Sequence, residues 1–94
     1  MTGKERAALR RMANTIQPIF QIGKGGVGEA MLEQLGMALD ARELIKITVL
    51  ETADVTAREA FDILCQALGA EPVQCIGRKV TIYRRNEKEP KIQL

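Results

Sequence analysis

The sequence predicts a single compact domain of the α/β class, more narrowly α+β, in which helices pack on a four-stranded mixed sheet. Three observations support this prediction. The apolar residues alternate between helical and strand-like spacing, each of the three predicted helices is followed by a predicted strand, and a glycine turn joins the last two strands. A helix that links two strands favours parallel pairing, whereas a tight turn requires antiparallel pairing. The expected order is therefore α-β-α-β-α-β-β.

The first predicted helix covers about Gly3 to Asn14. Thr2 and Glu5 have the spacing of a capping box, in which each side chain accepts a hydrogen bond from the backbone of the other residue. Pro18 prevents the helix from continuing, because proline has no N–H group and clashes with the preceding turn. A short apolar strand, Ile19–Ile22, is predicted next.

The second predicted helix runs from about Val27 to Leu39, and it leads into a strand at Leu44–Leu50. In that strand Ile45, Ile47 and Val49 share one face, and the other face is also largely apolar. A strand that is apolar on both faces is typical of the middle of a sheet. We therefore expect this strand to be central.

The third predicted helix begins near Asp54 or Thr56 and ends at Gly69, a residue that favours the left-handed conformation of a helix C-terminus. Thr56 and Glu59 form a second possible capping box. The apolar positions of this helix recur at helical spacing and predict one buried stripe. That stripe consists of Ala57, Ala60, Phe61, Leu64, Cys65 and Leu68.

The end of the chain predicts a hairpin followed by a charged tail. The strands Val73–Ile76 and Val80–Arg84 flank Gly77 and Arg78, a two-residue turn that begins with glycine. We assign residues 1–85 to the domain and residues 86–94 to a loosely ordered tail, in which Ile92 and Leu94 are candidates to dock.

A glycine loop between the first strand and the second helix is the strongest functional signal. It resembles the phosphate loop of nucleotide hydrolases, but Glu29 and Ala30 occupy the positions of the phosphate-binding lysine and the magnesium-binding hydroxyl. This excludes nucleotide hydrolysis. Gly23, Gly25 and Gly28 also satisfy the dinucleotide-binding fingerprint, although the chain is too short for two nucleotide-binding halves. Nucleotide binding remains an alternative.

The loop also contains the pattern G-x-x-G, from Gly23 to Gly26, with which KH-like domains hold a nucleic-acid backbone. Glycine permits this close approach because it has no side chain. The pattern is short. Taken alone, it is explained equally well by a structural turn between strand and helix as by a loop that binds nucleic acid.

The charges are segregated along the chain. Residues 1–28 carry five basic and one acidic side chain, residues 29–75 carry three basic and nine acidic, and residues 76–94 carry six basic and two acidic. Two basic ends predict a cationic face if the fold brings them together, and such a face favours a polyanion. The acidic middle, from Glu29 to Glu59, leaves open a protein-interaction module as an alternative.

The composition offers little for catalysis or metal binding. There is no histidine, and the two cysteines, Cys65 and Cys75, lie at apolar pattern positions outside any C-x-x-C motif. We therefore expect buried reduced thiols in a cytoplasmic protein, with no metal, no cofactor and no catalytic residue. No run of apolar residues approaches the length of a membrane span.

Three motifs occur in order at matching spacings: the loop Gly23–Gly26, the segment Arg42–Lys46, and the hairpin Val73–Arg84. In these the chain resembles the CRM domain, and in particular the stand-alone bacterial YhbY-type proteins, from Leu9 to the C-terminus. The resemblance implies a fold like the C-terminal domain of translation initiation factor three. It also implies RNA binding, and association with precursors of the large ribosomal subunit during assembly.

The resemblance places RNA contacts on the glycine loop, and the neighbouring basic residues extend them. Gln17 and Gly28 depart from the family, which often has a basic residue and a small polar residue at these positions. We expect a monomer with no small-molecule substrate and no membrane contact. The predicted RNA-binding residues are Gly23, Lys24, Gly25 and Gly26 in the loop, Lys4, Arg10 and Arg11 in the first helix with Arg6 as a further candidate, and Arg78, Lys79 and Arg84 in the hairpin.

Overall fold

Three helices and four strands follow one another in the predicted order. The computed structural model describes all of residues 1–94. The α+β fold class is therefore confirmed, with these bounds. The helices are α1 (Gly3–Ala13), α2 (Glu29–Arg42) and α3 (Ala57–Leu68), and the strands are β1 (Phe20–Ile22), β2 (Leu44–Val49), β3 (Glu71–Ile76) and β4 (Lys79–Tyr83).

Both predicted capping boxes are present. The Thr2 hydroxyl accepts a hydrogen bond from the Glu5 N–H at 3.1 Å, and the Glu5 carboxylate accepts one from the Thr2 N–H at 2.9 Å. Thr56 and Glu59 make the same pair of bonds at the start of α3. Because these signals depend on residues only three positions apart, α1 and α3 begin where the sequence places them.

The sheet has the strand order β1-β2-β4-β3. Strand β2 pairs in parallel with β1 and antiparallel with β4, and β3 pairs antiparallel with β4. The central position of β2 and the mixed sheet agree with the sequence. Between Pro72 and Gln74 the register of β3 shifts, so that this edge strand carries a β-bulge.

The two faces of the sheet pack against different helices. Ile45, Ile47 and Val49 of β2 lie in the main core with residues of α2 and α3. On the opposite face a smaller cluster joins Leu9 and Ala13 of α1 to Leu44, Val73 and Tyr83. Leu44 and Tyr83 pair directly across β2 and β4, at the start of one strand and the end of the other. Helix α1 therefore covers one face of the sheet only at the end formed by the start of β2 and the end of β4.

Helix α2 begins and ends later than the predicted Val27–Leu39. Gly28 is its N-cap residue, and the helix continues to Arg42 before Glu43 ends it at φ 65°. A positive φ is unfavourable for a residue with a side chain, and glycine is the residue expected at such a position. A glutamate there gives no signal in the sequence that the helix ends. The side chain of Glu43 is fully buried.

The C-terminal tail is bound to the domain through Glu43, and the expectation of a loose tail does not fit the structure. One carboxylate oxygen of Glu43 accepts a hydrogen bond from the Asn86 N–H at 2.7 Å. The other oxygen accepts two, from the N–H groups of Lys91 and Ile92, also at 2.7 Å. Ile92 packs against the cluster beneath α1. Leu94 does not dock in the same way and is 42% exposed.

These bonds determine the protonation of Glu43. Burial disfavours the carboxylate, but the N–H groups of Asn86, Ile92 and Lys91 together with the charge of Lys91 outweigh it and lower the pKa of Glu43 below its ordinary value of 4.5. The side chain is therefore ionised at neutral pH and serves as a charged acceptor for three backbone donors.

Candidate nucleic-acid interface

The glycine loop, residues Gly23–Gly26, leaves the sheet directly after the buried Ile22. The Gly26 N–H donates to the Gly23 carbonyl at 2.9 Å and closes a tight turn, and Gly26 has φ 67°. A Cβ atom added at Gly25 or Gly26 would meet nothing within 4 Å. The outer surface of this turn is therefore open backbone that a ligand can approach.

The N-terminus of α2 follows the loop without a side-chain cap. Its N-cap residue is Gly28, whereas α1 and α3 begin with threonines that accept a hydrogen bond from the first turn. The free N–H groups of a first helical turn attract anions. Glu29 lies in this turn, where its charge is favourable for the helix but competes with an incoming anion.

The β3–β4 hairpin turn lies at the same end of the sheet as the glycine loop. The Leu50 N–H donates to the Ile22 carbonyl at 2.9 Å, and the Val49 N–H donates to the Arg78 carbonyl at 2.7 Å. The end of β2 thus separates the loop from the hairpin turn. Since neighbouring strands lie about 4.8 Å apart, the two features are about 10 Å apart.

Three cations surround this end of the sheet. Lys24 and Lys79 are exposed and form no ion pair. Arg78 lies 3.5 Å from the carboxylate of Glu51, with both side chains more than half exposed. Exposed ion pairs contribute little stability, so Arg78 can exchange this partner for a phosphate at little cost.

The cations of α1 lie elsewhere. Lys4, Arg10 and Arg11 are exposed, but α1 packs over the Leu44 and Tyr83 end of the sheet. The six residues of β2 separate this end from the glycine loop by about 17 Å. The structure therefore brings the loop together with Arg78 and Lys79 and does not place the α1 cations beside it.

Two of the predicted arginines are bound within the fold. The Arg84 guanidinium donates to the carbonyls of Leu68 at 2.8 Å and Gly36 at 2.9 Å, and it contacts Asp40 at 3.1 Å. Directly after β4, Arg84 thereby joins the middle of α2 and the end of α3 to the sheet. Arg6 donates to the Pro72 carbonyl at 3.0 Å and pairs with Glu71. Neither arginine is free to bind RNA, because a bound phosphate would have to displace these partners.

Replacing Arg84 with glutamine should destabilise the protein rather than weaken nucleic-acid binding. Two backbone carbonyls lose a charged donor, which corresponds to about 2–3 kcal/mol of the free energy of unfolding. Urea unfolding checks this, with Arg85→Gln as the matched control at an exposed neighbouring position. A stable Arg84→Gln protein with reduced nucleic-acid affinity would contradict this structural role.

The two cysteines are free and half-buried, where the sequence predicted buried thiols. Burial raises the pKa of Cys65 to about 11, with Asp62 and Glu71 adding to the effect. This thiol is therefore protonated at neutral pH and is a poor nucleophile. None of the three helices combines the length and apolarity needed to cross a membrane.

The chain matches the profile of the CRS1 / YhbY (CRM) domain over residues 1–84. It therefore belongs to the CRM domain family, as its three motifs indicate. The match covers all four strands of the sheet and the glycine loop.

Relatives of similar length carry names that refer to RNA. The chain is 37% identical to "Probable RNA-binding protein YqeI" of Bacillus subtilis, over all of this chain and 98% of that protein. It is 31% identical to "RNA-binding protein" of Haemophilus influenzae, over all of this chain and 94% of that protein. Its structure is similar to the solution structure of the hypothetical protein SAV1595 from Staphylococcus aureus. That similarity has a TM-score of 0.81 and 42% identity, and it covers 100% of this chain and 98% of the other.

Proposed function

We propose that this protein binds RNA through the glycine loop, the uncapped start of α2 and the cations Lys24, Arg78 and Lys79. The observation that carries the proposal is the open backbone of the loop beside two lysines without acidic partners. Backbone N–H groups and mobile cations are the groups that hold phosphates. The names of the relatives in Bacillus subtilis and Haemophilus influenzae support RNA as the polyanion.

The RNA that we propose is ribosomal RNA in precursors of the large ribosomal subunit, where the protein acts as an accessory factor during assembly. The resemblance to the stand-alone bacterial YhbY-type proteins supports this more specific assignment. The proposed role is binding without catalysis. It predicts that the protein sediments with large-subunit precursors, and that the Gly25→Asp variant does not.

The aromatic residues favour recognition of the backbone rather than of bases. Tyr83 is 3% exposed and Phe61 is 4% exposed, because both lie in the core, and Phe20 packs against the main core as well. A sheet that stacks bases needs exposed aromatic side chains. This chain has none to offer, so binding should depend on phosphates and shape.

The salt dependence of binding tests this mode. Each phosphate contact on a single strand contributes about −0.7 to the slope of log affinity against log salt. Replacing both Lys24 and Lys79 with glutamine should therefore make the slope shallower by about 1.4. The slope can be measured by fluorescence anisotropy with a labelled oligoribonucleotide between low and moderate salt.

Lys88→Gln serves as the matched control, because this exposed lysine lies in the tail away from the loop. Its slope should equal that of the wild type. An unchanged slope in the Lys24 and Lys79 double variant would reject the proposed face. A rise of several degrees in melting temperature with ATP, GTP or NAD would instead favour nucleotide binding.

A further inference from the structure

The sheet face beneath α1 is open at the end that adjoins the glycine loop. Helix α1 buries Leu44, Val73 and Tyr83 at the other end of this face. Alternation along β2 and β4 places Thr48 and Lys79 on the same face but beyond the helix. An open strip of sheet therefore lies between the glycine loop and α1.

The strand register defines the residues of this strip. Gln21 pairs with Thr48, Thr48 pairs with Lys79, and Lys79 pairs with Ile76. We call these four residues the sheet row. Because four adjacent strands span three gaps of about 4.8 Å, the row is about 14 Å wide. Gln21 stands two residues before Gly23, so the row begins directly beside the loop.

Three of the four residues in the sheet row are polar, one of these is a cation, and none is acidic. Gln21 and Lys79 are exposed, Thr48 is half-buried, and Ile76 is 62% exposed. No side chain of the row forms a hydrogen bond or ion pair within the protein. Lys46 lies on the same face, one step along β2 toward α1, and is likewise without an acidic partner. These polar groups are free to bind a ligand.

We propose that an RNA strand held by the glycine loop continues across the sheet row, and that Gln21 and Thr48 recognise its ribose 2′-hydroxyl groups. The inference rests on the proposed function. The 2′-hydroxyl group distinguishes RNA from DNA, and it can both donate and accept a hydrogen bond. The side-chain amide of Gln21 and the hydroxyl of Thr48 can also do both, so either can pair with it. Lys46 and Lys79 contact phosphates along the same path, and Ile76 offers an apolar surface to a base.

A comparison of RNA and DNA tests ribose recognition. The double variant Gln21→Met and Thr48→Val keeps the size of both side chains and removes their hydrogen-bonding groups. It should bind a single-stranded 12-nucleotide RNA about tenfold more weakly than the wild type. Its affinity for the DNA strand of the same sequence should not change. Lys46→Gln, by contrast, should weaken binding of both strands, because phosphates are common to RNA and DNA.

The controls separate this inference from the proposed function. Gln66→Met, on the exposed surface of α3, should bind both strands as the wild type does. Equal affinity of the wild type for RNA and DNA would overturn ribose recognition, as would a double variant that keeps the full preference for RNA. If Gly25→Asp still lowers RNA affinity by about 30-fold or more, the proposed function stands without the sheet row. If Gly25→Asp binds normally, the proposed function itself fails.

Discussion

Replacing Glu43 with alanine should lower the free energy of unfolding by about 3–5 kcal/mol, because three half-buried backbone N–H groups lose a buried, charged acceptor. A domain of this size has a total stability of about 5–14 kcal/mol, so the variant should lie close to unfolding. The melting temperature should fall by about 15–30 °C. Thermal unfolding followed by circular dichroism measures the loss directly.

Two further variants identify the cause. Glu43→Gln keeps the length of the side chain but turns an –NH₂ group toward one of the three donors, so it should also be strongly destabilised. Glu89→Gln changes an exposed residue of the same tail and should alter stability by less than about 0.5 kcal/mol. If the melting temperature of Glu43→Ala lies within a few degrees of that of the wild type, Glu43 does not hold the tail on the domain.

The same carboxylate predicts a loss of stability in acid. The folded-state pKa of Glu43 lies below the ordinary value of 4.5. Its contribution is therefore complete above that value and is lost as the pH falls through the folded-state pKa. Between pH 5 and pH 3 the wild type should lose more stability than Glu43→Gln, a difference that urea titrations at each pH would reveal. Equal losses would show that other carboxyl groups dominate.

Replacing Gly25 with aspartate should reduce RNA affinity by about 30-fold or more, since it adds a negative charge and a side chain where phosphates approach the loop. The fold should be preserved, because a Cβ atom at Gly25 has open space and this residue does not have a positive φ. Anisotropy with a labelled oligoribonucleotide at constant salt provides the measurement.

Gln34→Glu is the matched control for charge, since it makes the net charge one unit more negative at an exposed position on α2. Its affinity should remain within about twofold of the wild type, because Gln34 lies in the second turn of α2 and salt screens its charge from phosphates at the loop. A Gly25→Asp protein that melts normally and binds as tightly as Gln34→Glu would remove the loop from the interface.

The sequence determines those parts of the fold that depend on neighbouring residues. The Thr2 and Thr56 capping boxes and the left-handed Gly69 mark helix ends by local chemistry, and all three appear in the structure. The end of α2 is different. Glu43 has a positive φ, and its carboxylate accepts hydrogen bonds from the tail, more than 40 residues later. No local pattern indicates such a contact.

The candidate site likewise has one part that the sequence predicts and another part that it does not. The glycine loop was recognisable because its backbone conformation requires particular residues. The roles of the basic residues could not be predicted from the sequence, because charge alone does not distinguish Lys79 from Arg84. Lys79 is exposed, whereas Arg84 joins two helices to the sheet. Gln21 and Thr48 carry no signal in the sequence. Only the strand order β1-β2-β4-β3 places them in one row.

The most direct test of the interface is to map RNA contacts by NMR on the ¹⁵N-labelled protein at low salt. Backbone amide signals of Gly25, Gly26 and Ala30 should move first and farthest when a single-stranded RNA is added, followed by those of Arg78 and Lys79. If the largest changes instead fall on α2 and α3 around the exposed residues Met37 and Ile63, the glycine loop does not bind RNA.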